Sequence, residues 1–190
     1  MRRQFALGVL YSAVLACSPA LDYSATVLEF QKYKNGGNLE SVLNLFAAQP
    51  TLHFGQLGTI SGLSDIRGIL EYDRALNTHL LFQECETNAA EVVCRVVETN
   101  DWLKLADIES ITYDENKFLF TSDGRIQSIE ATLSAESGQL LGAAMVQFDE
   151  WAKTNRPVEY AELFSEKGAF IYSHVNAEKV LALLRIWRNQ

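Results

Sequence analysis

The chain has 190 residues, of which 48% are hydrophobic and 21% charged, so it can form a packed domain with an appendage rather than a disordered chain. Its formal net charge is −8 and it has no run of five basic residues, which excludes a nucleic-acid surface built from clustered Lys and Arg. The three histidines are scattered, and neither H-x-x-x-H nor C-x-x-C occurs, so we expect no metal and no cofactor.

The N-terminal segment 1–16 predicts export. Arg2 and Arg3 precede a short apolar run, which is the layout of a secretory signal peptide. The run is too short to cross a bilayer, because a membrane-spanning helix needs ~20 residues. The segment ends in the letters VLAC, which are similar to a bacterial lipobox. Two outcomes stay open: a lipid on Cys17 that attaches the mature protein to a membrane, or plain cleavage after Ala16 that yields a periplasmic or secreted protein.

Helices come first in the rest of the chain. Apolar residues at helical spacing indicate a helix over 22–34, which the two following glycines end. Asn38 can cap a second helix, whose apolar face includes Phe46. Pro50 is expected to begin a strand, and Ser64 to cap a third helix.

Strands dominate the middle of the sequence. Alternating or apolar runs predict them at 79–86, 91–98, 107–113, 117–121 and 125–133. Asp123-Gly124 is the strongest hairpin signal in the chain. Small and polar residues predict a linker at 134–138, and helical patterns follow it at 139–155, 158–167 and 177–188. Helices followed by consecutive strands indicate an α+β fold, in which a curved antiparallel sheet wraps over the N-terminal helices to form a cone.

This pattern divides the chain into a signal peptide (1–16), a cone domain (20–134) and a helical extension (138–190). The helices of the extension are amphipathic and must bury an apolar face. They can pack on the outer face of the sheet, cap the cone, or face a second copy of the chain in a homodimer. We favour packing within the chain. The side chains expected to cover the sheet are Phe148, Trp151, Leu183 and Trp187.

Two cysteines fit the prediction of export. If the hairpin between the strands 79–86 and 91–98 centres on Ala89 and Ala90, Cys85 lies opposite Cys94. Directly opposed residues of paired strands have Cα atoms ~4.5–5.5 Å apart, within the range of a disulfide. We therefore expect a disulfide in an oxidising compartment; a shift of one residue in register would leave two buried thiols instead.

Residues 22–134 resemble a known superfamily. The segments VLEFQKYKNGGNLESVLNLFAAQPTLHFG, ISGLSDIRGIL and NKFLFTSDGRIQSIEATL follow one another as in nuclear-transport-factor-2-like proteins. That group includes ketosteroid isomerases and SnoaL-like polyketide cyclases. The resemblance implies the cone fold but no particular activity, because the group contains enzymes, binding modules and scaffolds.

The resemblance also implies where ketosteroid isomerase chemistry would lie. Ketosteroid isomerase shifts the pKa values of its catalytic groups. Its reaction needs a carboxylate base, a tyrosine and a protonated aspartic acid. The tyrosine position falls on Phe30, the base position on Phe54 and the acid position on Asn116. Phenylalanine can neither move a proton nor hold an oxyanion, so we expect this reaction to be absent. A register shift of one residue would place His53 at the base position instead.

Other candidate groups are sparse. His53 adjoins the lost base position, and Asp101 and Glu109 flank the polar and aromatic segment that holds Trp102. The pocket of the cone is expected to be lined by Phe30, Phe54, Trp102, Asn116 and Phe118. We therefore expect an exported protein that binds a small apolar molecule or acts as a scaffold without catalysis. The alternative is an isomerase, cyclase or hydrolase that uses Asp101, Glu109 or His53.

Overall fold

The computed structural model describes residues 21–55 and 58–189 of the protein. The predicted signal peptide 1–16 and Cys17 lie outside the described residues. The elements in chain order are α1 (Tyr23–Asn35), α2 (Leu39–Asn44), β1 (Phe46–His53), β2 (Thr59–Ser61), α3 (Leu63–Ala75), β3 (His79–Asn88), β4 (Glu91–Thr99), α4 (Asp101–Leu105), β5 (Ile111–Phe120), β6 (Ile126–Leu133), α5 (Ala135–Asn155), α6 (Pro157–Ala161) and α7 (His174–Arg188). The predicted α+β class is confirmed.

The six strands form one curved sheet in the order β2-β1-β6-β5-β4-β3. All neighbours are antiparallel except β1 and β6, which are parallel. The helices α1 to α3 cover its concave face. We call the end of this face at Val92, Phe118 and Phe120 the base of the cone, and the end at Glu98 and Tyr113 the mouth.

Side-chain caps explain where the first helices begin. Asp22 Oδ1 accepts a hydrogen bond from the Ala25 N–H, and Asn38 Oδ1 accepts one from the Ser41 N–H. The prediction that Phe46 lies on the second helix is wrong, because α2 ends at Asn44 and Phe46 begins β1. Pro50 lies inside β1, where the register against β6 shifts, as expected for a residue without an N–H. Gly62, not Ser64, is the N-cap of α3.

Two features of the middle of the chain differ from the prediction. Asn100 Oδ1 accepts a hydrogen bond from the Leu103 N–H at 2.8 Å, and this cap begins α4, a short helix in the stretch between the predicted strands 91–98 and 107–113. The strands predicted at 107–113 and 117–121 are a single strand, β5, which is irregular between Tyr113 and Glu115. After the bulge, the side chains that follow point to the opposite faces of the sheet. The alternation along the sequence is therefore interrupted, and the sequence does not show one continuous strand.

The predicted linker at 134–138 is also wrong. Ser134 caps α5 by accepting a hydrogen bond from the Ser137 N–H, so the helix starts at Ala135 and continues without a break. Beyond it, the helix predicted at 158–167 is limited to α6, which ends at Ala161.

The hairpin of β3 and β4 has the expected register at its tip, with Asn88 opposite Glu91. A disulfide joins Cys85 to Cys94, and their Cα atoms are 4.1 Å apart. The extra residue that interrupts the pairing is accommodated at Glu84, whose φ is +52°.

Two hydrophobic clusters divide the molecule. The first lies at the base and contains five phenylalanines that pack with one another: Phe30, Phe46, Phe82, Phe118 and Phe120. The second joins Phe148 of α5 and Leu181, Leu183 and Leu184 of α7 to Leu76 after α3 and Trp102 of α4.

The helical extension therefore packs on α3 and α4 within the same chain. The prediction that Phe148, Trp151, Leu183 and Trp187 cover the outer face of the sheet is wrong, because their partners lie on the helices beside the mouth. In the part of the chain that the structure describes, no helix is long and apolar enough to cross a membrane.

Candidate functional site

A cavity of about 670 Å³ opens at the mouth of the cone. The sheet supplies one wall through Glu98, Ile111 and Tyr113, and α3 supplies another through Tyr72 and Asp73. Leu76, Asn100 and the α4 residues Trp102 and Leu103 also line it, and the C-terminal extension supplies the remaining residues, so the cavity belongs jointly to the cone and the extension.

Sixteen of the twenty lining residues are apolar or aromatic. The polar ones are Asp73, Glu98, Asn100 and Asp149. The aromatic ones are Tyr72, Trp102, Tyr113, Phe148, Tyr160, Phe164, Phe170 and Tyr172. This volume and lining are typical of sites that enclose a small molecule and orient it through a few polar groups.

Glu98 is the polar centre of the cavity. Its carboxylate accepts hydrogen bonds from Tyr113 Oη to Oε2 at 2.9 Å and from Asn100 Nδ2 to Oε1 at 2.8 Å. The side chain is enclosed by protein, and its partly accessible surface faces the cavity. Burial, with a smaller contribution from Asp73, raises the pKa of Glu98 above its ordinary value. Burial and the adjacent carboxylate also raise the pKa of Tyr113 well above its ordinary value.

A buried ion pair lies beside this centre. Lys34 Nζ, in the last turn of α1, is 2.7 Å from Asp73 Oδ2 on α3. The lysine side chain is only 7% exposed, and the aspartate is 25% exposed. Lys34 does not line the cavity, whereas Asp73 does. The pair joins α1 to α3 and presents its carboxylate, not its ammonium, to the cavity.

A second polar group lies on α5 and α6. Asp149 accepts hydrogen bonds from Lys153 and from Tyr160 Oη. Burial opposes the ionisation of Asp149, but the bonds from Lys153 and Tyr160 outweigh it and lower the pKa of that carboxyl. Burial and the bond to Asp149 raise the pKa of Tyr160 to about 12. Asp149 is therefore held as a carboxylate with its own cation.

Of the residues predicted to line a pocket, only Trp102 lines this cavity. The prediction is wrong for Phe30 and Phe118, which fill the base and pack 5.5 Å apart between ring centroids. Phe54 packs against the same base cluster. Asn116 is buried there, and its Oδ1 has no hydrogen-bond partner among the described residues. The base is closed because large aromatic rings meet across it.

The three predicted catalytic candidates also lie outside the cavity lining. His53 Nδ1 is 2.9 Å from Thr59 Oγ1, in a hydrogen bond between β1 and β2. Asp101, in the first turn of α4, accepts hydrogen bonds from Asn77 and Lys104, which lower its pKa. Glu109 is exposed. The structure does not bring these groups together.

The sequence contained a signal for Glu98 that our prediction missed. Val92, Cys94 and Val96 alternate on the buried face of β4, and the same period of two places Glu98 on that face. A carboxylate at the end of an apolar row is a candidate for a perturbed pKa. In residues 21–55 and 58–189, no group of three or more His, Cys, Asp or Glu side chains is arranged to hold a metal ion.

Comparisons with solved structures support the fold. The epoxide hydrolase/cyclase-like enzyme SalBIII, which has a role in pyran ring formation in polyether salinomycin, covers 60% of this chain and 92% of its own at TM-score 0.54 and 12% identity. A nuclear-transport-factor-2-like protein from Cytophaga hutchinsonii covers 62% of this chain and 94% of its own at TM-score 0.51 and 13% identity. A protein with a cystatin-like fold from Silicibacter pomeroyi covers 72% of this chain and 92% of its own at TM-score 0.50 and 13% identity.

The sequence comparisons give nothing further. No protein-family model matches the chain, and no curated protein matches it significantly. Likenesses at this level of identity establish the fold alone. The chain has the cone fold of nuclear-transport-factor-2-like proteins.

Proposed function

We propose that the protein binds a small, mainly apolar molecule in the cavity at the mouth of the cone. The observation that carries this proposal is the cavity itself, whose volume of about 670 Å³ lies within the usual range for small-molecule sites. Its lining is apolar apart from four residues, among them the enclosed carboxyl of Glu98. A molecule held there would bury its body against aromatic rings and place one polar group at Glu98, Tyr113 and Asn100.

The contrast with the base argues against a purely structural role. A cone that serves as a scaffold can be filled with side chains throughout, as the phenylalanines fill the base here. An open apolar cavity forgoes the packing energy that filling it would supply, of roughly 24 cal/mol per Å³ in core substitutions. We infer that the mouth stays open because it holds a ligand.

A matched pair of substitutions on α5 tests this proposal. Leu141 lines the cavity and its neighbour Leu140 does not, being 49% exposed. We expect Leu141→Trp to fill the cavity and weaken binding of the neutral dye N-phenyl-naphthylamine by about tenfold or more, since overpacking costs ~1–3 kcal/mol. Leu140→Trp should bind as the unmodified protein does. The proposal is refuted if fluorescence titrations give both variants the same affinity for the dye, or if the unmodified protein does not bind the dye.

A second candidate function is acid–base catalysis with Glu98 in place of the residues predicted from the sequence. The specific observation is the raised pKa of this enclosed carboxyl beside the Tyr113 hydroxyl. The structural neighbour SalBIII is described as epoxide hydrolase/cyclase-like, and a protonated carboxyl can assist epoxide opening by protonating the oxygen. If so, hydrolysis of styrene oxide to the diol should fall ~10²–10⁴-fold in Glu98→Gln. Glu109→Gln, an exposed control, should leave the rate unchanged; equal rates in both variants exclude Glu98.

We also propose that the protein is exported, with loss of residues 1–16 and attachment to a membrane through Cys17. The motif at the N-terminus carries this proposal, and the disulfide between Cys85 and Cys94 supports an oxidising compartment. Intact-mass analysis of protein from its native host should find a chain that begins at Cys17 and carries lipid. A chain that begins at Met1, or free thiols at both hairpin cysteines, would contradict export.

A further inference from the structure

The charged side chains that line the cavity are all acidic. Three carboxyl groups line it, on Asp73, Glu98 and Asp149, while none of its described lining residues is Lys, Arg or His. An anionic ligand would therefore enter a site that repels it, and buried like charges are strongly unfavourable.

Two of these carboxyls already have a cation. Asp73 is paired with Lys34 at 2.7 Å, and Asp149 with Lys153. Glu98 has only the neutral donors Tyr113 and Asn100. Of the three lining carboxyls, Glu98 is therefore the one without a salt bridge to a Lys, Arg or His among the described residues.

We propose that the cavity binds a cationic ligand, a protonated amine with an apolar or aromatic body, whose ammonium group pairs with Glu98. The inference rests on the proposed binding function and adds the chemical class of the ligand. The aromatic lining fits this class, because ammonium groups are attracted to the faces of Trp and Tyr rings. Trp102 and Tyr72 lie in the same wall region as Asp73 and are part of that lining.

This pairing predicts that Glu98 releases a proton when the amine binds. In the empty cavity burial favours the protonated form of Glu98, and Asp73 on α3 opposes ionisation more than Lys34 on α1 favours it. Tyr113 on β5 and Asn100 before α4 stabilise the carboxylate through hydrogen bonds. An arriving ammonium would favour the carboxylate as well, so the Glu98 proton would leave to solvent while the amine keeps its own. Affinity should then increase as pH rises through the raised pKa of Glu98 in the free protein.

Three probes that share a naphthalene ring and differ in the charge of their polar group test this requirement: naphthylmethylamine, naphthylmethanol and naphthoate. We expect calorimetric titration of the full mature chain to show the amine binding about 10- to 100-fold more tightly than the alcohol, the value of one hydrogen bond between charged groups. Naphthoate should bind most weakly. Titrations in two buffers of different ionisation enthalpy should show release of a proton on amine binding.

The variant Glu98→Gln removes the charge and keeps the shape. It should abolish both the preference for the amine over naphthylmethanol and the proton release. Glu109→Gln removes an exposed carboxylate outside the cavity lining and should change neither. If amine and alcohol bind equally tightly, the cationic ligand is excluded and the binding proposal stands. If none of the three probes binds, the inference falls together with the binding proposal for molecules of this size.

Discussion

The base and the mouth of the cone lie on the same concave face of one sheet, yet they are packed in opposite ways. At the base, Val92 and Phe118 are directly opposite each other and fully buried. At the mouth, Glu98 is opposite Ile111, and both line an open cavity. The two ends of this face therefore differ in packing: the base is filled with side chains, and the mouth leaves the cavity in which we propose that a ligand binds.

The difference arises from what covers each end. The base is closed by α1 and by the phenylalanines that project between it and the sheet. The mouth is covered by α5, α6 and α7, which touch α3 and α4 but leave space above Glu98. The resemblance places the tyrosine and base positions of ketosteroid isomerase on Phe30 and Phe54 of the filled base, and so pointed away from the cavity at the mouth.

The largest effect is expected from removal of the cover over the mouth. Deletion of residues 135–190 would expose the apolar partners of the extension, including Leu76 and Trp102. Burial of each large side chain contributes ~1.5–3 kcal/mol, against a total stability of ~5–15 kcal/mol, so the shortened chain should not fold. Circular dichroism during heating should show no cooperative transition. A transition at the temperature of the full chain would mean that the extension is an independent appendage.

A pair of alanine substitutions compares the two ends directly. Phe118 is fully buried at the base, whereas Phe164 is partly buried and lines the cavity. Phe118→Ala should reduce the free energy of unfolding by ~3–5 kcal/mol, as expected for a well-packed core phenylalanine. Phe164→Ala should cost less than half as much, because one face of the ring already borders empty space. Urea denaturation of both variants measures the difference, and equal losses would show that the mouth is part of the core.

Much of the fold was predictable because its signals are local. The helix over 22–34, the strands around Cys85 and Cys94, and the Asp123-Gly124 turn each rest on a few neighbouring residues. The errors came from competing local signals. Asn100 and Ser134 are helix caps; we predicted no helix after Asn100 and a linker at Ser134, since a helix as short as α4 has too little periodicity to recognise.

The site was less predictable, because its parts come together only through tertiary packing. Alternation along β4 could have placed Glu98 on the buried face. Its partner Tyr113 depends on a bulge that shifts the register between β4 and β5, and no local pattern fixes that shift. The sequence favoured packing of the extension within the chain but did not fix which face it covers, because its amphipathic helices allowed three arrangements.

A smaller effect concerns the stability of the mouth as a function of pH. Because the pKa of Glu98 is raised in the folded protein, its carboxyl keeps a proton at pH values at which the same group in the unfolded chain, with a glutamate pKa of ~4.3, has already lost it. The contribution of this group to stability is complete below pH ~4.3 and is lost as pH rises through the folded pKa. Glu98→Gln should remove this loss. The melting temperature of each protein across the pH range would reveal it.

The control for this measurement is Glu109→Gln, which removes an exposed carboxylate of the same charge. Its dependence of melting temperature on pH should follow that of the unmodified protein. If the Glu98 variant follows that dependence as well, the carboxyl is solvated in the folded protein, and its role as the polar centre of the cavity is excluded.

The smallest expected effect is none at all: the protein should not isomerise a ketosteroid. By the resemblance described above, the positions of the oxyanion donor and the catalytic base fall on Phe30 and Phe54, which both pack with the base cluster. The same resemblance places the buried Asn116 at the position of the carboxylic acid. An apolar ring cannot accept a proton, and the filled base leaves no room for a steroid to reach these positions. Steroid turnover, followed by the absorbance of the conjugated enone, should equal the buffer rate. Turnover above that rate that disappears in Glu98→Gln would show that the mouth has taken over the chemistry, and would favour the enzyme over the binding protein.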